Sequence, residues 1–346
     1  MNVELTWDKR MLRHVKSKGG HPERPKRLLA VQDALVKSGL LNQISIQGCT
    51  RATRKELELV HTKSYLDYLE NKLDGSSGQL TKDTYFSKWS LDAAIVAAGA
   101  AAGMARESLA EKHPPFRMAL CRPPGHHAGR DYCRGFCIIN NAAMAATAAL
   151  EAGARRVAIL DWDAHHGNGT EEIFYHRRDV LVLSCHRHPY FPFTGSPNRR
   201  GEGKGRGFNV NVPLQKGDGD NAFHYILSRV FIPILRAYRP DIIILSAGFD
   251  AHSFELLGGL EVTENGFGKL TSLLLETAHQ ICSGRVIAVL EGGYDPDGLS
   301  ACVCEVVKTA LDETPSDWIE RDVPTRLVHC SAMGMRSSFL ENIFGV

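Results

Sequence analysis

The stretch "VAILDWDAHHGNGT", residues 157–170, joins a short apolar run to a cluster of polar side chains. Its first four residues are apolar at every position, which is typical of strands buried on both faces of a parallel sheet. Similar runs occur near residue 117 and begin at Val180, Phe208, Asp241 and Val286. Helical patterns lie between or beside them at about 91–110, 140–152, 220–238, 263–282 and 297–312. This alternation predicts an α/β fold with a central, mostly parallel sheet flanked by helices.

Composition favours an ordinary globular protein. The 346 residues are 43% hydrophobic and carry a net charge of +2, so we expect one domain over residues 1–346 and no direct nucleic-acid partner. Nine cysteines without regular pairing favour a reducing compartment. We find no signal peptide and no apolar run long enough for a membrane span, so a cytoplasmic location is expected, with organellar and nuclear locations left open. Homo-oligomerisation is also left open.

Four apolar runs end in unusual polar groups: "PPGHHAG", "DWDAHHGNGT", "SAGFDAH" and "LEGGYD". Ligands of open parallel sheets bind beyond the carboxyl ends of the strands, so these groups predict one shared site. Adjacent residues of an extended strand point to opposite faces. The bend expected at residues 123–125 would therefore be needed to turn the imidazoles of His126 and His127 toward that site.

The acidic residues predict a metal site. Asp161, Asp163 and His165 alternate, so they share one side if the strand stays extended, and Asp250 ends another apolar run. Buried carboxylates at this density need a cation. Nitrogen and oxygen ligands suit Zn²⁺ with an open catalytic position, and Fe²⁺ would accept the same set. Histidine bases together with the phenol of Tyr294 then indicate hydrolysis of an amide.

The motifs "RPPGHHA", "GFCIINN", "DWDAHHGNGTEEIF", "SAGFDAH" and "EGGY" occur in an order and spacing that resemble a known superfamily. It is that of the zinc-dependent histone deacetylases, which includes acetylpolyamine amidohydrolases and acetoin-utilisation proteins. The resemblance covers about residues 18–312, leaving 313–346 as a C-terminal extension expected to pack on the domain. It implies an arginase-like fold with an eight-stranded sheet and the hydrolysis of N-acetyl amides to acetate and an amine.

The resemblance also implies roles for the site residues. Asp163, His165 and Asp250 would bind zinc, and Asp161 would support His126. His127 would be the general base and acid, His126 would help electrostatically, and Tyr294 would donate to the substrate carbonyl. Structural K⁺ would bind oxygens of Asp161, Asp163, His165, Ser184 and Cys185, and a second cation would lie near Phe174, Arg177 and Val180.

A narrow acyl-lysine channel is implied as well. Its members would be the aromatic walls Phe136 and Phe191, with core packing as the alternative for Phe191, together with Gly135, Gly292, Leu257, the rim residues His21 and Pro22, the acetate-channel residue Arg27, and Asp83, which would grip the substrate backbone. Leu257 stands where polyamine-specialised members carry glutamate. Nearby Glu255 is the one obvious substitute for that carboxylate.

Asn168 stands behind His127, where many class I members have aspartate, and with "RPPGHH" and "HPERP" it points to a class II-like branch. An amide there should leave His127 less basic than a carboxylate would. The predicted substrate is acetylated lysine in protein or peptide, and acetylated polyamines or other small amines are the alternative. A binuclear manganese ureohydrolase and a non-catalytic acyl-lysine binding module are the other hypotheses.

Overall fold

An eight-stranded sheet forms the centre of the protein, which we describe from a computed structural model over residues 2–16 and 19–312. Strands are numbered along the chain: β1 Val3–Thr6, β2 Ser45–Gln47, β3 Gly78–Gln79, β4 Tyr85–Phe86, β5 Phe116–Ala119, β6 Val157–Asp161, β7 Val180–Arg187, β8 Asn209–Leu214, β9 Ile242–Ala247 and β10 Val286–Leu290. The sheet order is β2-β1-β5-β10-β9-β6-β7-β8, and every neighbouring pair is parallel. Strands β3 and β4 form a separate antiparallel pair. The predicted α/β class and parallel sheet are confirmed.

The six apolar runs identified in the sequence are the strands β5 to β10. All positions of β6, β9 and β10 are buried, which explains why these runs are apolar without alternation. Strands β1 to β4 were not predicted from the sequence. Strand β2 reads "SIQ" and is exposed at all three positions, so it carries no hydrophobic pattern that could have predicted it.

Ten α-helices accompany the strands in the described part of the chain. They are α1 Lys26–Lys37, α2 Arg54–Val60, α3 Lys63–Leu73, α4 Ser90–Ala110, α5 Asn141–Glu151, α6 Asn168–Phe174, α7 Asp220–Ile226, α8 Ile232–Tyr238, α9 Glu264–Cys282 and α10 Pro296–Asp312. Short 3₁₀ turns cover Lys9–Arg13, Leu40–Gln43 and Gly203–Gly205. The helix predicted over 220–238 is interrupted by a π-helical turn at Leu227–Phe231.

The helices fall into two packed groups that flank the sheet. Helices α2 to α5 contact one another, and α1 packs with α7 to α10 through α9 and α10. Together with the strands they enclose one continuous hydrophobic core. The eight cysteines of the described residues are free thiols. Within the same residues, no helix combines the length and apolarity that a membrane crossing requires. The expected C-terminal extension lies outside the described residues.

Candidate active site

The four polar loops predicted to share a site leave four neighbouring strands. Strands β5, β10, β9 and β6 are adjacent at the middle of the sheet, and all four point the same way. The loops that follow their carboxyl ends carry the His126–His127 pair, Tyr294, Asp250 and the segment 161–165, respectively. Parallel register therefore brings residues from distant parts of the sequence to one edge of the sheet.

Asp163, His165 and Asp250 form a buried cluster whose ligand atoms all lie within 4.8 Å of one another. The Nδ1 atom of His165 is 2.8 Å from Asp250 Oδ2 and 3.2 Å from Asp163 Oδ1. Burial opposes ionisation of Asp163, but His126 and His165 outweigh it and lower the pKa of that carboxyl. Burial and the charge of Asp163 raise the pKa of Asp250 to about 7. Two buried carboxylates beside one imidazole fit the donor set of a divalent cation.

Backbone contacts hold this cluster in place. Strand β6 ends at Asp161, and the chain then curls, because the Asp163 N–H donates to Asp161 Oδ1. The condition of an extended path is not met beyond Asp161, and the Oδ2 atom of Asp161 contacts His126 Nδ1. The Gly292 N–H donates to Asp163 Oδ2 at 2.9 Å. A Cβ atom at Gly292 would lie 2.2 Å from Asp250 Oδ2, so this close approach requires glycine.

His126 lies among carboxylates. Its Nδ1 atom is 3.0 Å from Asp161 Oδ2, and Glu291 Oε2 accepts the backbone N–H groups of Gly125 and His126. Burial favours the neutral ring, but the carboxylates of Asp163 and Asp161 outweigh it and raise the pKa of His126 to about 10. The surrounding carboxylates therefore favour the protonated ring.

His127 lies beside His126, with ring centroids 4.1 Å apart, but its hydrogen-bond partner is a neutral amide. Its Nδ1 atom is 2.8 Å from Asn168 Oδ1. Burial, together with the neighbouring His126 and His165, holds the pKa of His127 well below its usual range. Because Nδ1–H donates to the amide oxygen, the lone pair of the neutral ring is on Nε2. The surroundings of His127 thus favour a neutral ring, whereas those of His126 favour a protonated one.

A pocket of about 200 Å³ opens above this group. It is lined by Asp83, His127, Gly135, Phe136, His165, Tyr190, Phe191, Leu257 and Tyr294. The Phe191 ring meets the His127 and His165 rings edge-on at centroid distances of 5.3 and 6.1 Å, so this residue lines the pocket rather than the core. Tyr190 also lines the pocket and stacks on His165, with ring centroids 5.6 Å apart.

Phe136 forms the opposite wall in a conformation that a side chain rarely adopts. Its φ is 70°, and its backbone N–H donates to the Thr84 hydroxyl. The preceding Gly135 packs on His127, where a Cβ atom would lie 2.3 Å from Cδ2 of that ring, and its N–H donates to Asp83 Oδ1. Backbone strain of this kind, kept in place by hydrogen bonds at a pocket wall, is typical of functional sites.

Tyr294 enters the pocket edge-on to Phe136, with ring centroids 5.4 Å apart. Burial and the carboxylates of Asp250 and Asp163 raise the pKa of Tyr294 well above its usual range, so the phenol stays protonated and can donate. The loop of Tyr294 is fixed from below by buried Arg27, which donates to the carbonyl oxygens of Gly293 and Glu291. The proposed acetate-channel arginine therefore lies directly beneath the phenol ring, 5.0 Å from its centroid.

Glu255 does not substitute for the polyamine-binding glutamate. It is 7% exposed, and its Oε2 atom accepts the backbone N–H groups of Tyr294 and Asp295. Its carboxylate is thus committed to the Tyr294 loop. Leu257 lines the pocket as expected, whereas His21 packs behind Phe136 with its ring centroid 4.6 Å away and is not among the lining residues.

The predicted K⁺ residues lie beside the site. Asp161 pairs with Ser184 in the register of β6 and β7, and the Ser184 hydroxyl is 2.8 Å from His186 Nδ1. Phe174 ends α6, where its carbonyl oxygen accepts the Arg177 N–H, and Val180 begins β7. Cation binding by either group stays a prediction.

Several residues at the site were not predicted from the sequence. They are Tyr190, Glu291, Tyr132 and Glu172. Glu291 begins the quoted motif "EGGY", Glu172 lies within "DWDAHHGNGTEEIF", and Tyr190 precedes Phe191, so proximity to these residues was the available signal. Tyr132 and Glu172 contact each other through a hydrogen bond of 2.7 Å across 40 positions, and no pattern in the sequence indicates such a contact.

Comparison with known proteins agrees with this geometry. The histone deacetylase domain matches residues 21–310. Histone deacetylase 15 of Arabidopsis thaliana is 39% identical over 325 residues, which cover 91% of this chain and 58% of that protein. A probable deacetylase of Archaeoglobus fulgidus is 36% identical over 300 residues, covering 86% of this chain and 83% of the relative. The chain therefore spans little more than half of the plant protein.

The crystal structure of the HDA15 HD domain has the same fold, with a TM-score of 0.87 and 36% sequence identity over 98% of this chain and 93% of that chain. The resemblance drawn from the sequence motifs is confirmed, because the domain match extends over more than half of the residues. The chain belongs to the histone deacetylase family of hydrolases.

Proposed function

We propose that this protein is a zinc-dependent amide hydrolase that removes acetyl or related acyl groups from lysine side chains of proteins or peptides. The observation that carries the proposal is the pocket, with aromatic walls at Phe136 and Phe191 and polar groups at its closed end. An acyl-lysine stem is thin and apolar, and its amide would reach His127, His165 and Tyr294. Those three side chains are the ones that amide hydrolysis needs.

Asp163, His165 and Asp250 would hold the zinc ion, since their donor atoms already converge and are buried. When bound, the ion would polarise the amide carbonyl and make the attacking water more acidic. Metal analysis of the purified protein tests this assignment. We expect one zinc or ferrous ion per chain, and an Asp250→Asn variant should lose it. Two manganese ions per chain would instead indicate a ureohydrolase.

The histidines and the tyrosine would carry the proton transfers. His127 Nε2 would take a proton from water as it attacks the carbonyl carbon, and would return it to the leaving lysine amine. The imidazolium of His126 would stabilise the negative charge that develops beside it. Tyr294 would donate its phenolic proton in a hydrogen bond to the carbonyl oxygen as that oxygen becomes negative.

The lining of the pocket favours an uncharged stem over a polyamine. Leu257 offers no partner to a cation, and Glu255 is occupied by the Tyr294 loop. Among the described lining residues, Asp83 is the one acidic side chain, and its Oδ1 atom already accepts from Thr81, Thr84 and Gly135. Its second oxygen would accept a backbone N–H group of a peptide substrate.

The test is a comparison of kcat/KM for an acetyl-lysine peptide with kcat/KM for acetylated putrescine and spermidine. We expect the peptide to be preferred. A hundredfold preference for the polyamines would support the alternative, deacetylation of small amines, and contradict the proposal.

A Leu257→Glu variant tests whether this residue disfavours polyamines, because it places a carboxylate in the pocket. It should raise the ratio of polyamine to peptide kcat/KM by about tenfold, as a new ion pair worth about 1.4 kcal/mol would do. Leu256→Glu is the matched control, since its side chain is 94% exposed and lies next in sequence but outside the pocket lining. Equal effects of the two variants would show that position 257 does not determine the choice between peptide and polyamine.

A further inference from the structure

A chain of hydrogen bonds leads from His127 to the protein surface. His127 Nδ1 is 2.8 Å from Asn168 Oδ1, and Asn168 Nδ2 donates to the Tyr132 hydroxyl at 3.0 Å. The Tyr132 hydroxyl in turn donates to Glu172 Oε2 at 2.7 Å. The inner members are buried or partly buried, and Glu172 is exposed. No function considered so far uses Tyr132 or Glu172.

Helix α6 fixes the geometry of this chain. Asn168 begins the helix and Glu172 lies one turn later, so both side chains are on one face. The helix start is docked on the histidine pair, because the N–H groups of Gly169 and Thr170 donate to the carbonyl oxygen of His126.

Tyr132 bridges the two positions of α6 from the loop after the histidine pair. A tight turn holds it, in which the Gly129 N–H donates to the Tyr132 carbonyl oxygen. The ring covers Gly129 so closely that a Cβ atom there would lie 2.3 Å from it. Its hydroxyl is therefore held in one place.

The direction of each bond decides which nitrogen of His127 carries the proton. An asparagine amide can present either its oxygen or its NH₂ group to a neighbour. A carboxylate offers acceptors alone, so Glu172 takes the proton of the Tyr132 hydroxyl, and that hydroxyl then has lone pairs to offer Asn168. The Asn168 NH₂ group turns toward Tyr132, and the amide oxygen faces His127 Nδ1–H.

The opposite orientation would disable the base. If the NH₂ group of Asn168 faced His127, it would donate to Nδ1 and require the proton to be on Nε2. The nitrogen that faces the pocket could then no longer accept a proton from water. Burial and the Glu172 carboxylate raise the pKa of Tyr132, which keeps the phenol protonated and the direction of the chain defined.

We propose that Tyr132, aligned by Glu172, is a positioning residue for the reaction: it fixes the amide orientation of Asn168 and thereby the tautomer of His127 that has a free Nε2. The inference rests on the proposed role of His127 as the base. Aspartate at position 168 would need no such alignment, because both of its oxygens accept. Tyr132 is thus required because residue 168 is an asparagine.

The experiment is a double-mutant cycle in the full chain, with an acetyl-lysine peptide as substrate. Tyr132→Phe alone should lower kcat about three- to tenfold at unchanged KM, the size expected for one neutral buried hydrogen bond. In the Asn168→Asp background the same substitution should change kcat less than about twofold. Tyr175→Phe, whose ring packs under Arg199 at the end of α6, is the matched control and should have no effect.

A ¹⁵N NMR spectrum of histidine-labelled protein gives a readout independent of turnover. Tyr132→Phe should increase the population of His127 protonated on Nε2, and the Asn168→Asp background should abolish that increase. An unchanged kcat for Tyr132→Phe, or an equal loss in both backgrounds, would overturn the inference. Failure of the proposed function is seen separately, because His127→Ala would then leave turnover unchanged.

Discussion

The two adjacent histidines of this protein have opposite surroundings. His126 lies at the carboxyl ends of the strands, among the carboxylates of Asp161, Asp163 and Glu291. His127 faces α6, where a neutral amide is its partner, and a chain of hydrogen bonds leads outward to solvent. Two residues adjacent in the chain therefore have surroundings that shift their pKa values in opposite directions.

The difference shows that side chains behind the imidazoles, rather than the imidazoles themselves, assign the roles. Buried carboxylates stabilise an imidazolium strongly because no water screens them, whereas an amide provides direction without charge. The pKa of His126 is raised and the pKa of His127 is lowered, although the ring centroids are 4.1 Å apart. Pairs of titratable groups whose pKa values are driven apart in this way are typical of acid–base catalysis.

Removing each imidazole ring in turn should have the largest effects on turnover. His127→Ala should lower kcat by about a thousandfold, because a positioned general base contributes roughly 10²–10⁴-fold. His126→Ala should lower it by roughly ten- to a hundredfold, since a supporting charge is lost while the base remains. Steady-state kinetics with an acetyl-lysine peptide measure both, and thermal unfolding checks that each variant is folded. Equal losses would contradict the division of roles.

Exchanging the partner of His126 is the next test. Asp161→Asn keeps an oxygen acceptor for Nδ1–H but removes the charge that stabilises the imidazolium. We expect kcat to fall about tenfold with KM little changed, because the neutral ring no longer stabilises developing negative charge. Metal content is the control, since the Asp163 N–H also donates to Asp161. A variant that keeps both its metal and its full kcat would show that the charge on His126 is dispensable.

Much of the fold followed from the sequence because the buried strands carry their own signal. Strands β6, β9 and β10 are apolar at consecutive buried positions, whereas β2 is exposed and has no pattern at all. The sequence also gives no sign of the π-helical turn within the helix predicted over 220–238, because the side chains of this turn are compatible with a continuous α-helix.

The site was predictable where residue type alone implies chemistry. Two acids and a histidine at strand ends indicate a metal, and a double histidine indicates proton transfer. The hydrogen-bond partners of individual side chains could not be predicted from the sequence. Nothing in the sequence indicates that the Glu255 carboxylate accepts the backbone N–H of Tyr294. Nothing in it indicates that the Tyr132 hydroxyl accepts a hydrogen bond from Asn168. Such pairings depend on the packing of distant segments.

The smallest expected effect comes from giving His127 the kind of partner that His126 has. The proposed mechanism requires a neutral His127, so activity should be present above the pKa of that ring and be lost as the pH falls through it. Asn168→Asp places a carboxylate behind Nδ1, which favours the imidazolium and raises this pKa by about one unit or more. The acidic limb of the kcat profile should therefore move upward by about one pH unit.

At pH 8, where both forms of the enzyme have a neutral ring, kcat of Asn168→Asp should differ from the parent by no more than about threefold, since a more basic ring accepts a proton more readily but the geometry is kept. Asn198→Asp, which makes the same charge change at an exposed position, should leave the profile unmoved. An acidic limb that stays in place in Asn168→Asp would mean that the profile reports a group other than His127. A limb that moves as expected would show that a single neutral side chain sets the pH range in which this base operates.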